Sequence, residues 1–297
     1  MSQFITAGSV IVPDEYFNRM SSGIETIDNL FSTGILPGSV TTIAAKHGTG
    51  KTQFCLQLLN ALQEKGNKVG YVSNEESIEQ LAFTCRRINT PAVPIANAST
   101  VKEVKELMQG LNVIVIDSFS KLRVDGETKV RAIERCILDT IIGEAKRTKC
   151  AVFFIMHLTK MGQVRGSSLI EHDVDATLFI KHNTEEDQPD NGQRKIYFEK
   201  NRFGSPNEVV VTLTAKGYDF TAVSSTGEDS VKQVKTGKAN TLQDSIINLP
   251  LNEFTVDEVV EHLDLPYQKV LLAIYTMTRN NVLTKSGRGK TAVYKVN

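Results

Sequence analysis

The chain has 297 residues, and its 34 Lys and Arg are balanced by 34 Asp and Glu, so the formal net charge is zero. A neutral chain of this length fits one large α/β domain and a small second one, and it has no global field to collect nucleic acid, so any such surface must be local. No run of 18 apolar residues occurs, and Met1-Ser2-Gln3-Phe4 lacks the basic-then-apolar order of a signal peptide, which excludes a membrane-spanning reading and sets the expectation of a cytoplasmic protein.

In chain order, the first strong element is the apolar run at 40–44, read as a buried strand. Ala45-Lys46-His47-Gly48-Thr49-Gly50-Lys51-Thr52 follows, and then an amphipathic helix over 52–62. A loop between strand and helix with this composition is built for phosphate. Gly48 and Gly50 let successive backbone N–H groups turn inward around phosphate oxygens at a helix N-terminus. Lys51 then supplies a point charge toward the β and γ phosphates, and Thr52 a hydroxyl for Mg²⁺. The pattern G-x-x-x-x-G-K-[ST] has Ala45 where its first Gly would stand; alanine keeps a close approach if its φ stays negative. ATP and Mg²⁺ are the expected cofactors, contacted by His47, Gly48, Thr49, Gly50, Lys51, Thr52 and Gln53.

Further strands are predicted at 69–73, 113–116 and 151–156, and further helices at 78–87 and 130–146. Strands with little polar alternation, separated by helices, predict a parallel sheet covered on both faces. Glu75 and Glu76 follow the second strand, where a carboxylate can orient the water that attacks the γ-phosphate. Glu75 is the favoured base because it comes first, while Glu76 also reads as an acid enriching the first turn of the next helix. Asp117 ends the third strand, where it can hold the Mg²⁺ water shell opposite Thr52. His157 follows the fourth and is a candidate γ-phosphate sensor feeding the loop at 158–169. Cys55, Cys85, Cys136 and Cys150 lie far apart in apolar-periodic segments, the pattern of buried thiols in a reducing compartment.

Beyond Met156 the pattern changes to strands at 176–181, 195–199 and 209–214 joined by short polar turns, expected to extend the sheet with antiparallel neighbours. Residues 221–241 read as a flexible linker of Ser, Thr, Gly and Lys. A second domain follows, with helical faces at Val256, Val259, Val260, Leu263 and at Val270, Ile274, Met277. Pro266 opens the second helix, and a hairpin spans 282–294. Helix, helix, hairpin predicts a winged helix-turn-helix. Arg279, Lys285, Arg288, Lys290 and Lys295 fall in its last stretch with no acid between 279 and 296, so Arg288 and Lys290 are candidates to meet a DNA backbone.

The ordered set Ser22-Gly23-Ile24-Glu25-Thr26-Ile27-Asp28, Leu36-Pro37-Gly38-Ser39, the phosphate loop, Tyr71 through Ser77, Val115-Ile116-Asp117-Ser118, His157-Leu158-Thr159-Lys160 and Lys200-Asn201-Arg202-Phe203-Gly204 resembles the RecA-type ATPase core of the bacterial RadA/Sms branch. Residues 167–175 are similar to a matching stretch of DnaB-type replicative helicases. The resemblance covers about residues 20–220. It implies an α/β fold with a RecA-like P-loop core at 1–220, followed by the linker at 221–241 and the winged helix at 242–297. It also implies that Lys200 and Arg202 reach the γ-phosphate bound by a neighbouring subunit, which demands a homo-oligomer, a hexameric ring by family habit.

Two loops would face the axis of such a ring. Lys121 and Arg123 lie in one, and Lys160, Gln163, Arg165 and Gly166 in the other, suited to gripping a phosphate backbone without reading bases. The resulting expectation is an ATP-dependent translocase or helicase on single-stranded DNA, with duplex or forked DNA and a loader or primase protein as further partners. A recombination mediator or strand-annealing protein using ATP as an assembly switch stays open, as does a signalling ATPase whose winged helix docks a protein.

Overall fold

Alternate residues of the central strands enter two different cores, which is why those strands read as unbroken apolar runs. In the computed structural model β1 (Val40–Ala45), β2 (Val69–Ser73), β3 (Ile95–Asn97), β4 (Val113–Asp117), β5 (Ala151–His157), β6 (Ala176–His182), β7 (Gln193–Asn201), β8 (Glu208–Thr214) and β9 (Gly217–Asp219) form one sheet in the order β3-β2-β4-β5-β1-β6-β7-β8-β9. Val113, Val115, Phe153 and Ile155 join one core with Leu56 and Leu59, while Ile114, Ile116, Phe154 and Met156 join the other with Leu138 and Ile141. A strand buried on both faces has no solvent side to mark with polar residues.

The structure describes residues 4–158, 168–184, 189–221, 253–263, 267–279, 282–287 and 292–296, and positions 242, 246, 249 and 265. They divide into two units, Met1–Gly227 and Glu228–Asn297. The predicted linker segment 222–241, the loop residues Lys160, Gln163, Arg165 and Gly166, and Pro266, Arg288 and Lys290 lie outside the described residues.

Helices α1 (Glu25–Leu30), α2 (Lys51–Glu64), α3 (Ile78–Arg87), α4 (Val101–Leu107), α5 (Val130–Thr148) and α6 (Ser168–Asp173) connect the strands of the first unit. Both α3 and α4 start with reciprocal capping boxes, Ser77 with Gln80 and Thr100 with Glu103, which satisfy N–H groups at the first turn. One expectation needs correction. Strand β6 pairs parallel to β1, so antiparallel pairing begins only at β7. The reason is the long connection from β5, which carries α6 and allows a crossover that a short turn could not make. Strands β7, β8 and β9 then meander antiparallel to the edge.

Cys55, Cys85 and Cys150 are buried free thiols, and Cys136 is half-buried. Burial pushes the Cys150 thiol up to about 12, which keeps it protonated and unreactive. Among the described residues no helix is long and apolar enough to cross a membrane.

The second unit holds β10 (Glu253–Phe254), α7 (Val256–Leu263), α8 (Tyr267–Arg279), β11 (Leu283–Ser286) and β12 (Val293–Val296). Its strands form an antiparallel sheet ordered β10-β12-β11. Phe254, Val259, Val270, Ile274, Met277 and Tyr294 make a separate core there.

Candidate active site

Strand register decides which side chains meet. Ala45 lies beside His157 and Ser73 beside Asp117, so β1, β2, β4 and β5 end in line at their carboxyl edge, the edge where open α/β sheets place ligands. The loop after β1 enters α2 through Gly50 at φ +92°, where a side chain would also press on Leu213 and the Tyr218 hydroxyl at 2.9 Å. Gly50 is therefore demanded by both backbone and space. Gly48, at φ +78°, faces open space.

A cavity of about 340 Å³ opens above this loop, lined by His47, Gly48, Gly50, Lys51, Thr52, Gln53, Glu75, Glu76, Thr84, Arg87, Asp117 and His157. The fold thus gathers Lys51, Thr52, Glu75, Asp117 and His157, predicted from separate segments, around one space. Thr49 is the exception in the loop. It is buried, its hydroxyl donates to the Lys46 carbonyl, and its own carbonyl accepts from the Tyr218 hydroxyl at 2.7 Å and from Arg194 Nε at 3.3 Å. It braces the loop from beneath.

Lys51 Nζ donates to the carbonyls of Ala45 at 3.1 Å and Lys46 at 3.0 Å. Burial lowers its pKa, and the negative charges of Asp117 and Glu75 oppose that shift. Asp117 is buried, which raises its pKa; the hydroxyl of Tyr71, donating to Oδ2 at 2.6 Å, works against the rise. The Tyr71 hydroxyl also lies within hydrogen-bonding reach of Thr52. A backbone cradle at a helix N-terminus, a Lys ammonium, a Thr hydroxyl and a buried carboxylate form a donor and acceptor set that fits a nucleoside triphosphate with Mg²⁺. Thr52 and Asp117 would hold the cation, which neutralises phosphate charge when bound.

The two acids after β2 have different surroundings. Both Glu75 and Glu76 backbone N–H groups donate to Ser73 Oγ. Glu75 then accepts from Ser118 Oγ at 2.6 Å, lies 3.2 Å from His157 Nε2 through both oxygens, and pairs with Lys121 at 3.6 Å. Burial raises the Glu75 pKa, but the Ser118 hydrogen bond, His157 and Lys121 together bring it below the ordinary value. Glu76 is raised by burial and by the charges of Asp117 and Glu75. Of the pair, Glu75 is held ionised at the cavity. His157 stacks on His47 with ring centroids 4.4 Å apart.

Lys200 and Arg202 are not brought to this cavity. Asn201 pairs with Ala176, and Ala176 with Thr41, at the start of β1, whereas Ile196 pairs with Ile180 and Ile180 with Ala45 at the phosphate loop. Four residues of strand, about 13 Å, separate the two levels. Lys200 Nζ donates to the Val174 carbonyl at 2.7 Å, and Arg202 Nη2 to the His172 carbonyl at 2.8 Å. Arg123 bonds Ser99 Oγ at 2.8 Å, away from Glu75.

Three contributors escape sequence reading. Tyr71 looks like any strand aromatic. Tyr218 sits on a three-residue edge strand. Arg194 is buried at 3% exposure and held by Asp190 through two 2.8 Å contacts, and it supports the phosphate loop from β7. Only the Asp-x-x-x-Arg spacing around the Asn191-Gly192 turn hints at that pair.

Residues 20–99 match the family model of the KaiC ATPase. Proteins named DNA repair protein RadA are similar across most of the first unit: 30% identity over 215 residues in Brucella abortus, covering 67% of this chain and 44% of that one, and 29% over 223 residues in Campylobacter jejuni, covering 71% and 49%. The Haemophilus influenzae protein is 29% identical over 208 residues, covering 67% and 44%. The chain thus spans about half the length of the curated relatives it matches. A solved ATPase domain of a DnaB-like helicase superimposes with a TM-score of 0.57 at 14% identity, covering 69% of this chain and 90% of that one. That likeness shows the fold.

Proposed function

We propose that this chain, which carries a KaiC-like RecA-type ATPase domain, is an ATP-hydrolysing, ring-forming motor that moves on single-stranded DNA in replication or recombination. The observation that carries the reading is the separation of two charge sets within one chain. Lys51, Thr52, Glu75, Asp117 and His157 surround one cavity, while Lys200 and Arg202 stand at the opposite end of the same sheet. In a ring or filament, a cavity holding a water-orienting acid and a cation seat would receive further positive charge for the transferred phosphate from the neighbouring subunit. Six subunits is the number the family resemblance favours.

Within this reading the protein acts in the cytoplasm, Mg²⁺ accompanies ATP, and a loader or primase protein is a further partner. The loops holding Lys121 and Arg123, and Lys160, Gln163, Arg165 and Gly166, line the DNA path. The second unit is a winged helix. Two consecutive helices, α7 and α8, then the β11–β12 hairpin with β10 beside β12 support it. RadA relatives, named for DNA repair, support DNA as the track.

The test is the steady-state ATPase rate of wild type and Lys51→Ala without DNA, with single-stranded DNA and with blunt duplex. Stimulation by single strands that disappears in Lys51→Ala supports the motor. A rate indifferent to all DNA sinks it.

A further inference from the structure

Lys121 ends the one-turn helix Phe119–Lys121 that follows Asp117 and Ser118. Its ammonium is 3.6 Å from Glu75 Oε1, the oxygen that also accepts from Ser118 Oγ, and its side chain is 55% exposed. His157 Nε2 lies 3.2 Å from both Glu75 oxygens. The other charged groups around the carboxylate are Lys51 from α2, Asp117 from β4 and the adjacent Glu76. The Glu75 carboxylate is thus engaged by three partners, Ser118 and Lys121 after β4 and His157 at the end of β5. A carboxylate held in this way has little capacity left to accept from an attacking water.

We propose that Lys121 is a positioning residue that parks Glu75, and that a nucleic-acid phosphate taking Lys121 releases Glu75 to orient the attacking water. One ammonium cannot sit against both anions. An exposed pair at 3.6 Å is weak, whereas a nucleic-acid backbone gains from counterion release at each phosphate it neutralises, so the backbone wins the competition. Arg123 stays on Ser99 and does not share the task. The inference rests on the hydrolytic reading above and deepens it, because it turns an expected DNA contact into the step that links track to turnover. The device is local: one cation, one carboxylate and two alternative partners.

The test compares kcat and KM for ATP in wild type, Lys121→Met and Lys121→Arg, each with and without single-stranded oligo(dT) at low and high salt. Lys121→Met should raise kcat without DNA by about fivefold at unchanged KM, and should lose most of its stimulation by oligo(dT). Lys121→Arg, which keeps the charge, should return the low basal kcat and recover stimulation. A Lys121→Met protein with wild-type basal kcat and undiminished stimulation overturns the inference and leaves the motor reading in place. A wild type that hydrolyses ATP but ignores oligo(dT) overturns both.

Discussion

The Tyr71 hydroxyl donates to Asp117 Oδ2 at 2.6 Å and reaches Thr52 as well, so one buried tyrosine ties together the two side chains that would hold Mg²⁺. Tyr71 is on β2 and Asp117 at the end of the adjacent β4, in a register that places Ser73 beside Asp117. Two-residue offset and a long aromatic side chain bring the hydroxyl to the strand end. Burial raises the Asp117 pKa, and this donor helps keep the carboxylate available to a cation.

Tyr71→Phe should therefore weaken Mg²⁺-dependent nucleotide binding by about tenfold, the usual cost of losing a support behind a metal ligand. Binding of nucleotide in EDTA should change little, because the loop and Lys51 are untouched. A fluorescent ATP analogue titrated with and without Mg²⁺ separates the two. Equal loss in both conditions would mean that Tyr71 acts on the loop and not on the cation seat.

The two ends of the sheet make a second prediction. Lys51→Ala and Arg202→Ala should each abolish hydrolysis, while Arg202→Ala still binds nucleotide. Mixed in equal amounts they should regain about a quarter of wild-type activity if subunits exchange at random, since a productive site needs an intact loop on one side and an intact Arg202 on the other. No recovery on mixing, with exchange verified by a labelled subunit, would place Arg202 outside the catalytic contact.

How much is legible in the sequence follows from where each signal lies. The strands at 40–44, 69–73 and 113–116 and the site residues at their ends are local in sequence, because a doubly covered strand and a phosphate loop are each written in consecutive residues. Strand β3 and helix α4 escape the reading because they are three and seven residues long, too short for a period to register. The parallel pairing of β6 with β1 is hidden because direction depends on the path of the chain between 157 and 176, not on the strand itself. Lys121 reads as a DNA contact from its loop, but its pairing with Glu75 spans 46 positions and no local pattern encodes it.

Acid stability offers a third prediction. Glu144 on α5 is buried and accepts from Gln109 at 2.6 Å and from Arg147 Nε at 3.2 Å, with Lys105 at 3.8 Å. Hydrogen bonds from Arg147 and Gln109 lower its pKa to about 2 from an ordinary 4.5. A depressed carboxylate contributes stability above its unfolded value and loses it as pH falls toward its folded value. Between pH 4.5 and 2 the wild type should thus lose melting temperature through this group, and Glu144→Gln should lose less. At pH 7 the variant should melt about 2–4 °C lower. Differential scanning calorimetry across that range decides it, and parallel curves for the two proteins would rule Glu144 out.

Arg194 gives the last prediction. Its guanidinium is buried between Asp190, which it holds bidentately, and the carbonyl of Thr49, so it fixes the floor of the phosphate loop from a strand outside the parallel set. The hydrogen bond from Arg194 holds the Asp190 carboxyl far below the usual carboxylate range. Removing the arginine leaves the Thr49 carbonyl with only the Tyr218 donor. Lysine cannot replace the fork, since it offers one point charge where two parallel contacts and a third donor are needed. Arg194→Lys should weaken ATP binding about tenfold while the fold persists, because the loop keeps its glycines but loses a fixed floor. Asp190→Asn should fall between the two proteins, keeping one acceptor for the guanidinium but losing its charge. Nucleotide affinity by calorimetry, alongside far-UV circular dichroism, tests the series, and wild-type affinity in Arg194→Lys would show that Tyr218 alone holds the loop.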